Sequence, residues 1–143
     1  MKNHFLIILT IFLIIISILF AKYTSLKKKN IEIKKFNSEY EFYNRDNLKG
    51  IDITTVINKA TDNNEKYKVK KDKEGYYIED ENSIKIDVKM ILNGKTYPME
   101  RIQAIGLEGF TEYFGEITFN CTNIEYHEEN GKISRITFES TQY

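Results

Sequence analysis

The amino-acid sequence predicts an α+β protein, with an N-terminal transmembrane helix followed by short helices packed on an antiparallel sheet of about five strands. Three observations predict this class. Residues 5–21 are almost entirely apolar, the next apolar positions recur at helical spacing, and later segments alternate between apolar and polar residues. The predicted organisation is a transmembrane anchor at 1–22, a basic juxtamembrane segment at 23–35 and a small α+β domain at 36–143.

The apolar run at 5–21 contains no charged residue. As a helix rising about 1.5 Å per residue it spans roughly 25 Å, which is short for a bilayer core. We expect Lys2 and Lys22 to snorkel and Tyr23 to sit at the interface, which makes up the difference. The alternative is a cleaved signal peptide, but its apolar region is shorter, and Leu19 stands where cleavage needs a small residue. The sequence therefore favours an uncleaved, single-pass anchor in the cell membrane.

The formal net charge of the chain is zero, but the charge is unevenly divided. Residues 1–35 carry seven Lys and one Glu, a net charge of +6, whereas residues 36–143 carry 14 basic and 20 acidic side chains, a net charge of −6. The lipid bilayer is the expected partner of the positive part, where each Lys near an anionic surface contributes about 1 kcal/mol. The acidic domain would repel phosphate, which excludes a nucleic-acid partner. The predicted membrane-surface contacts are Lys22, Lys27, Lys28 and Lys29.

The side of the membrane that the domain occupies depends on two opposing arguments. Six Lys lie in the flank after the apolar run, at residues 22–35, against Lys2, the α-amine and His4 before it, so the positive-inside rule places the domain in the cytoplasm. A tail of four residues before the run is instead typical of an exported signal-anchor. We favour an extracytoplasmic domain, and the cytoplasmic alternative stays open.

Two helices are predicted at the start of the domain. Phe36, Tyr40 and Tyr43 recur at helical spacing, either in a separate helix or in a membrane helix that continues to about residue 45. A second helix of about ten residues has Asp52 as its N-cap and ends in the polar run at 62–65.

The clearest strand covers residues 84–90, where apolar side chains alternate with Lys and Asp. A two-residue type I′ turn at 93–94 would pair this strand with residues 95–99 in a hairpin. Upstream, a three-residue loop at 80–82 would pair it with residues 76–78. These two turns predict that the strand at 84–90 pairs with an antiparallel neighbour on each side.

The last third of the chain predicts a helix and a hairpin. Residues 102–114 form a helix interrupted by its glycines. In the hairpin, a bulge near 122–123 and a three-residue loop at 129–131 place Ile124 opposite Ile136. This register brings apolar side chains to one face of the sheet.

The polar side chains give no catalytic constellation. Cys121 and His127 are separated by roughly 20 Å on one extended strand, so they cannot form a Cys–His pair. Glu125, His127 and Glu129 share one face and would bind a metal only weakly, and a solvated face is the simpler interpretation. The sequence contains no nucleotide-binding, hydrolase or metalloprotease motif. We expect no catalytic residues, no cofactor and no metal.

Two stretches carry a resemblance to a known group of proteins. They read GIDITTVINKA at 50–60, followed by DNN at 62–64, and FNCTNIEYH at 119–127. The chain resembles small single-pass membrane proteins of low-GC Gram-positive bacteria, whose activity is not known. The resemblance covers most of the domain and implies a bacterial membrane protein.

Three functional hypotheses follow, of which we favour a non-catalytic, membrane-anchored interaction or structural protein that contacts another membrane or envelope protein. The second is a pilin-like or pseudopilin-like subunit, because an apolar N-terminal helix followed by helix and sheet is similar to that layout. His4-Phe5 replaces the Gly-Phe processing site of pilins, however, and no acidic residue lies in the apolar run. The third is a small membrane-anchored enzyme.

Overall fold

The computed structural model describes residues 2–141, without the side chains of Lys2 and Asn3. The predicted snorkelling of Lys2 therefore lies outside the described residues. The chain divides into two compact units, Met1–Lys35 and Phe36–Tyr143. Helix α1, Lys2–Glu41, forms the described part of the first unit and begins the second.

Helix α1 is the one helix among residues 2–141 that is long and apolar enough to cross a membrane, over His4–Glu41. Its large apolar side chains from Phe5 to Phe20 are each at least 42% exposed. The hydroxyls of Thr10 and Ser17 donate to carbonyls of the preceding turn at 2.8 Å, which satisfies them within the helix. Because α1 continues to Glu41 without a break, Phe36 and Tyr40 lie in a continuation of the N-terminal helix and not in a separate helix. This is the second of the two predictions for the aromatic stripe.

Helix α2, Gly50–Lys66, begins earlier and is longer than predicted. Lys49 is its N-cap, and Asp52 instead lies inside the first turn, where its carboxylate accepts a hydrogen bond from the Lys49 amide at 2.9 Å. The polar run at 62–65 does not end the helix but forms its last turns. The helix extends through this run because the Asn64 side chain is buried and donates a hydrogen bond to Ile84 O at 2.8 Å.

The predicted fold class is confirmed: the domain is α+β, with a sheet of five strands. The strands are β1, Leu48–Lys49; β2, Lys85–Met90; β3, Lys95–Pro98; β4, Thr118–Tyr126; and β5, Ile133–Ser140.

The strands lie in the order β1-β4-β5-β2-β3. The sheet is mixed, since β2 and β5 pair in parallel while the other three pairings are antiparallel. After β3, at one edge, the chain crosses to the other side of the sheet, where β4 and β5 form a hairpin that places β5 parallel to β2.

The hairpin between β2 and β3 has a longer loop than predicted. Met90 lies opposite Lys95, which leaves a four-residue loop at 91–94 instead of a two-residue turn. A type I′ turn needs positive φ at both central residues, but of Asn93 and Gly94 only Gly94 has one, at +63°. The side chain of Asn93 instead accepts a hydrogen bond from the Lys95 amide at 2.9 Å.

The pairing predicted upstream of β2 is wrong. Within the described residues, the neighbours of β2 are β3 and β5, and residues 76–78 form only an isolated bridge between Tyr77 and Lys71. Tyr77 is buried, whereas Ile78 is 48% exposed. The parallel partner β5 takes the position that residues 76–78 would have occupied.

The predicted interrupted helix is two helices, α3, Met99–Ile105, and α4, Leu107–Phe114. The break is at Gly106, whose φ of +106° is disfavoured for residues with a side chain. Gly106 is therefore both the C-cap of α3 and the N-cap of α4.

The last hairpin follows the predicted register in its centre. Ile124 lies opposite Ile136, and the predicted bulge occurs between Cys121 and Asn123. The loop is one residue longer than predicted, because the His127 amide bonds to Lys132 O at 2.8 Å. A second irregularity at Glu125 and Tyr126 compensates for this extra residue.

The core lies between one face of the sheet and the helices of the domain. Alternate residues of β2 and β5 point inward, and α2 contributes its apolar stripe. The predicted aromatic stripe also packs here, with Tyr40 and Tyr43 buried and Phe36 half-buried. The other sheet face is polar, and Arg135 there pairs with Asp87 and with Glu125.

Candidate binding groove

The predicted membrane-contact residues all lie on exposed positions of α1. Lys22 is followed by three consecutive lysines, Lys27, Lys28 and Lys29. Successive residues of an α-helix point about 100° apart, so the three lysines face different directions around the axis. The group therefore forms a collar of charge around the helix.

The candidate catalytic residues of β4 have structural partners. His127 Nε2 lies 2.7 Å from Ser83 O, which joins the β4–β5 turn to the segment before β2. Cys121 is half-buried at the bulge, where burial raises the pKa of its thiol and a smaller effect of a hydrogen bond to the Asn123 backbone opposes the shift. No group of three or more His, Cys, Asp or Glu side chains within residues 2–141 has metal-binding geometry.

A shallow concavity with an acidic lining surrounds His127. Its carboxylates come from residues 79–81 and from residues 128–129. The nearby Arg135 loses hydration on burial, but the hydrogen bond and charge of Asp87, together with Glu125 and Glu79, outweigh that effect and raise the pKa of Arg135. Nothing in the arrangement of these side chains indicates a ligand.

An apolar groove of about 380 Å³ lies between β2, β3 and the helices α3 and α4. Val88 and Met90 of β2 form its floor, because the alternation of the strand turns them toward the helices. Ile102 of α3 and Phe110 of α4 form a wall. Among residues 2–141, no charged side chain lines the groove.

Two local features keep the groove open. Gly109 lines it, and a Cβ built on this residue meets no atom within 4 Å, so the missing side chain leaves space. The edge strand β3 is only four residues long and ends at Pro98, which has no amide hydrogen to continue the ladder. The groove is therefore not closed by a further strand.

Three large apolar side chains at the mouth of the groove are strongly exposed. Leu92 and Ile105 are each 70% exposed, and Tyr113 is 77% exposed. Contiguous apolar surface of this kind marks interaction sites more often than isolated exposed residues do. The groove is also lined by polar atoms of Asn93, whose side-chain amide donates a hydrogen bond to the Tyr97 hydroxyl at 3.0 Å.

The sequence does not predict this groove. It predicts an interrupted helix for the apolar residues of 102–114, and it places Leu92 directly before the predicted turn at 93–94. Ile105 and Tyr113 each lie three residues after Ile102 and Phe110, so they share a helix face with these buried residues, and their spacing carries no signal that they are exposed.

Comparison of the chain with family models, curated proteins and solved structures finds no match. The groove is therefore interpreted from its own residues. Its lining offers apolar and aromatic surface and a few neutral hydrogen-bonding groups, without a nucleophile or an acid–base pair. Such a lining can bind apolar side chains.

Proposed function

We propose that the protein is a non-catalytic, single-pass membrane protein whose α+β domain binds an apolar segment of another membrane or envelope protein. The observation that carries the proposal is the exposure of Leu92, Ile105 and Tyr113 around an uncharged groove. Full burial of a side chain of this size contributes about 1.5–3 kcal/mol. Burial of all three side chains by a partner would therefore contribute substantially to the free energy of binding.

The composition of the groove favours a polypeptide partner. Aromatic residues and Met are enriched in the centres of protein interfaces, and charged residues are depleted there. The groove contains Met90, Tyr97, Phe110 and Tyr113 and no charge. Its Asn93–Tyr97 hydrogen bond adds polar atoms that can orient a peptide backbone at the rim.

Membrane anchoring by residues 1–22 and an extracytoplasmic domain are parts of the same proposal. The support for anchoring is the exposed apolar surface of α1. Fusions of alkaline phosphatase and of green fluorescent protein to Tyr143 test the sidedness. We expect phosphatase activity without fluorescence, and fluorescence without phosphatase activity would place the domain in the cytoplasm. Release of the chain by alkaline carbonate would contradict anchoring.

The groove is tested by site-specific photo-crosslinking in the native cells. A photoreactive amino acid at Leu92 or Tyr113 reports on the mouth, and one at the exposed Ile78 reports on background contacts. Gly109→Leu fills the groove, and Glu108→Leu adds the same side chain to the neighbouring surface of α4 as a matched control.

We expect one adduct of the same mass from both mouth positions and not from Ile78. Gly109→Leu should abolish this adduct, whereas Glu108→Leu should retain it, because only the first substitution occupies the groove. Adducts that persist in Gly109→Leu, or that form equally at Ile78, would contradict binding in the groove.

A pilin-like subunit is the second candidate, and the unbroken course of α1 from Lys2 to Glu41 favours it. Pilin-like processing would remove the residues before Phe5. Sequencing of the mature N-terminus distinguishes the candidates: a chain beginning at Phe5 supports the pilin-like subunit, and a chain retaining His4 contradicts it.

A further inference from the structure

The outer side of β3 has no neighbouring strand within residues 2–141, because β3 lies at the end of the sheet. It pairs only with β2, with Tyr97 opposite Val88 and Lys95 opposite Met90. Tyr97 also lines the groove, together with the side chains of these two β2 residues. The free edge of β3 is therefore next to the site where the partner is proposed to bind.

The direction of the backbone in this part of the sheet follows from the hydrogen bonds of β2. The Ile91 amide donates to Ser140 Oγ, on the β5 side of β2, at 3.0 Å. Backbone groups of successive residues in an extended strand point to opposite sides, so those of Met90 and Val88 point to β3. Ile84 agrees with this alternation, because its amide and carbonyl both bond to a side chain of α2 and not to β5.

One residue of β3 directs its backbone groups away from the sheet. Lys95 and Tyr97 lie opposite residues of β2 that face them, so their own backbone groups point to β2. The N–H and C=O groups of Thr96, between them, point outward. Pro98 also falls on the outer side, but it has no amide hydrogen, and as the N-cap of α3 its carbonyl accepts the first hydrogen bond of that helix. The edge therefore offers one donor and one acceptor, both on Thr96.

We propose that the apolar segment of the partner binds as an extended strand, antiparallel to β3, with one of its residues opposite Thr96. The inference rests on the proposed binding in the groove and specifies the form of the bound segment. Thr96 exchanges two backbone hydrogen bonds with the residue opposite it. Because directly opposite residues share a face of the sheet, the preceding residue of the segment lies beside Tyr97 at the groove, and the following one lies beside Lys95.

The charges at this edge specify the residue beside Lys95. Lys95 is exposed, and the guanidinium of Arg101 lies 6.0 Å from the centre of the Tyr97 ring. These two cations contrast with the net charge of −6 of residues 36–143. Opposite charges in a cross-strand pair are stabilising, and like charges are destabilising. The bound segment therefore reads apolar residue, any residue, then Asp or Glu.

A different protein fits this edge better than a second copy of the chain does. Two β3 strands paired about Thr96 would set the neutral Tyr97 of one copy opposite Lys95 of the other. Neither lysine would then meet a carboxylate. A single pair of backbone hydrogen bonds gives little affinity by itself, so the apolar residue in the groove must supply most of it.

The pairing is tested by photo-crosslinking from Leu92 in the native cells, the assay that also tests the groove. Thr96→Pro removes the outward amide hydrogen without removing a bond to β2. Thr96→Val is its matched control, because it keeps the amide and changes only a side chain on the other face of the sheet. Lys95→Glu reverses the charge beside the expected carboxylate, and Lys73→Glu makes the same change at an exposed turn outside the groove lining.

We expect Thr96→Pro and Lys95→Glu each to reduce the adduct several-fold, and the two controls to retain it. Thermal melts of the purified chain in detergent report whether Thr96→Pro is folded. If it is not, Lys95→Glu decides, because this change leaves the backbone intact. Mass spectrometry of the crosslinked segment should show Asp or Glu two residues after an apolar residue.

Full adduct yield in folded Thr96→Pro or in Lys95→Glu would overturn the added strand, and a crosslinked segment of this chain itself would overturn a different protein as the occupant. Either result leaves binding in the groove intact if Gly109→Leu still abolishes the adduct. An adduct that persists in Gly109→Leu, or no adduct from Leu92 in the otherwise unaltered chain, would overturn both proposals.

Discussion

The side chain of Asn64 and the backbone of Ile84 exchange two hydrogen bonds inside the core. Asn64 Nδ2 donates to Ile84 O at 2.8 Å, and the Ile84 amide donates to Asn64 Oδ1 at 2.9 Å. Asn64 is in the last turns of α2, and Ile84 directly precedes β2. The side-chain amide thus gives Ile84 the pair of bonds that a neighbouring strand would provide.

Replacing Asn64 by Leu should strongly destabilise the domain. The change leaves the buried amide and carbonyl of Ile84 without partners, and each unpaired group costs about 1–3 kcal/mol. We expect the free energy of unfolding to fall by about 2–5 kcal/mol, measured by urea titration of the full chain in a mild detergent. The control is Asn58→Ala at an exposed position of the same helix, and an equal effect of both changes would contradict this role.

The same substitution, Gly→Ala, should have opposite effects at two positions. A Cβ on Gly50 would lie 1.9 Å from Phe114 O, a backbone atom that cannot move aside cheaply, and the cost should be about 3 kcal/mol. A Cβ on Gly109 meets nothing within 4 Å, and Ala is the better helix former, so Gly109→Ala should stabilise α4 by about 0.5–1 kcal/mol. Thermal melts followed by circular dichroism measure both changes. A stabilised Gly50→Ala variant would contradict the packing of α2 against α4.

The periodicity of apolar residues predicted whether most segments are helix or strand. It did not predict the lengths of the turns. The alternation at 84–90 predicts β2, and the glycines predict the break between α3 and α4. A two-residue and a four-residue loop before Lys95 both keep apolar residues on one face. Because these registers differ by an even number of residues, the hydrophobic pattern cannot distinguish them.

Non-local contacts account for what the sequence did not predict. The parallel pairing of β2 with β5 joins residues about 50 positions apart, and no turn signal records it. The groove depends on the same topology, since it exists only where β2 lies next to the short edge strand β3. The sequence therefore predicts only that Ile105 and Tyr113 are in a helix, and not that nothing in the described fold covers them.

Asp52 should stabilise α2 by accepting a hydrogen bond from the Lys49 amide. Its carboxylate bonds to the Lys49 amide and lies in the first turn, where negative charge is favoured by the helix dipole. We expect Asp52→Ala to lower the free energy of unfolding by about 0.5–2 kcal/mol. Asp62→Ala, near the other end of α2, is the control and should be neutral or slightly stabilising, because a carboxylate there opposes the dipole. Equal losses in both variants would exclude a specific role of the Lys49 contact.

The thiol of Cys121 should react slowly with alkylating reagents. Burial raises its pKa, and the thiolate is the reactive form, so less of it is present in the folded chain at any given pH. Rates of iodoacetamide labelling between about pH 7 and 10 should therefore rise with a midpoint above the value of about 8.5 for a free cysteine. The chain unfolded in urea provides the reference. A midpoint in the folded chain at or below that of the unfolded chain would contradict the effect of burial.

The lysine collar should oppose export of the domain, because the positive-inside rule counts Lys and Arg within about 15–20 residues of a membrane helix. Replacing Lys27, Lys28 and Lys29 by Gln removes three of the six positive charges after the apolar run. If the domain is extracytoplasmic, the triple variant should keep or increase the phosphatase activity of a fusion to Tyr143. The matched control replaces three exposed lysines far from the apolar run, Lys70, Lys73 and Lys95. A triple variant that moves the domain into the cytoplasm, while this control does not, would contradict the claim that the lysine collar opposes export.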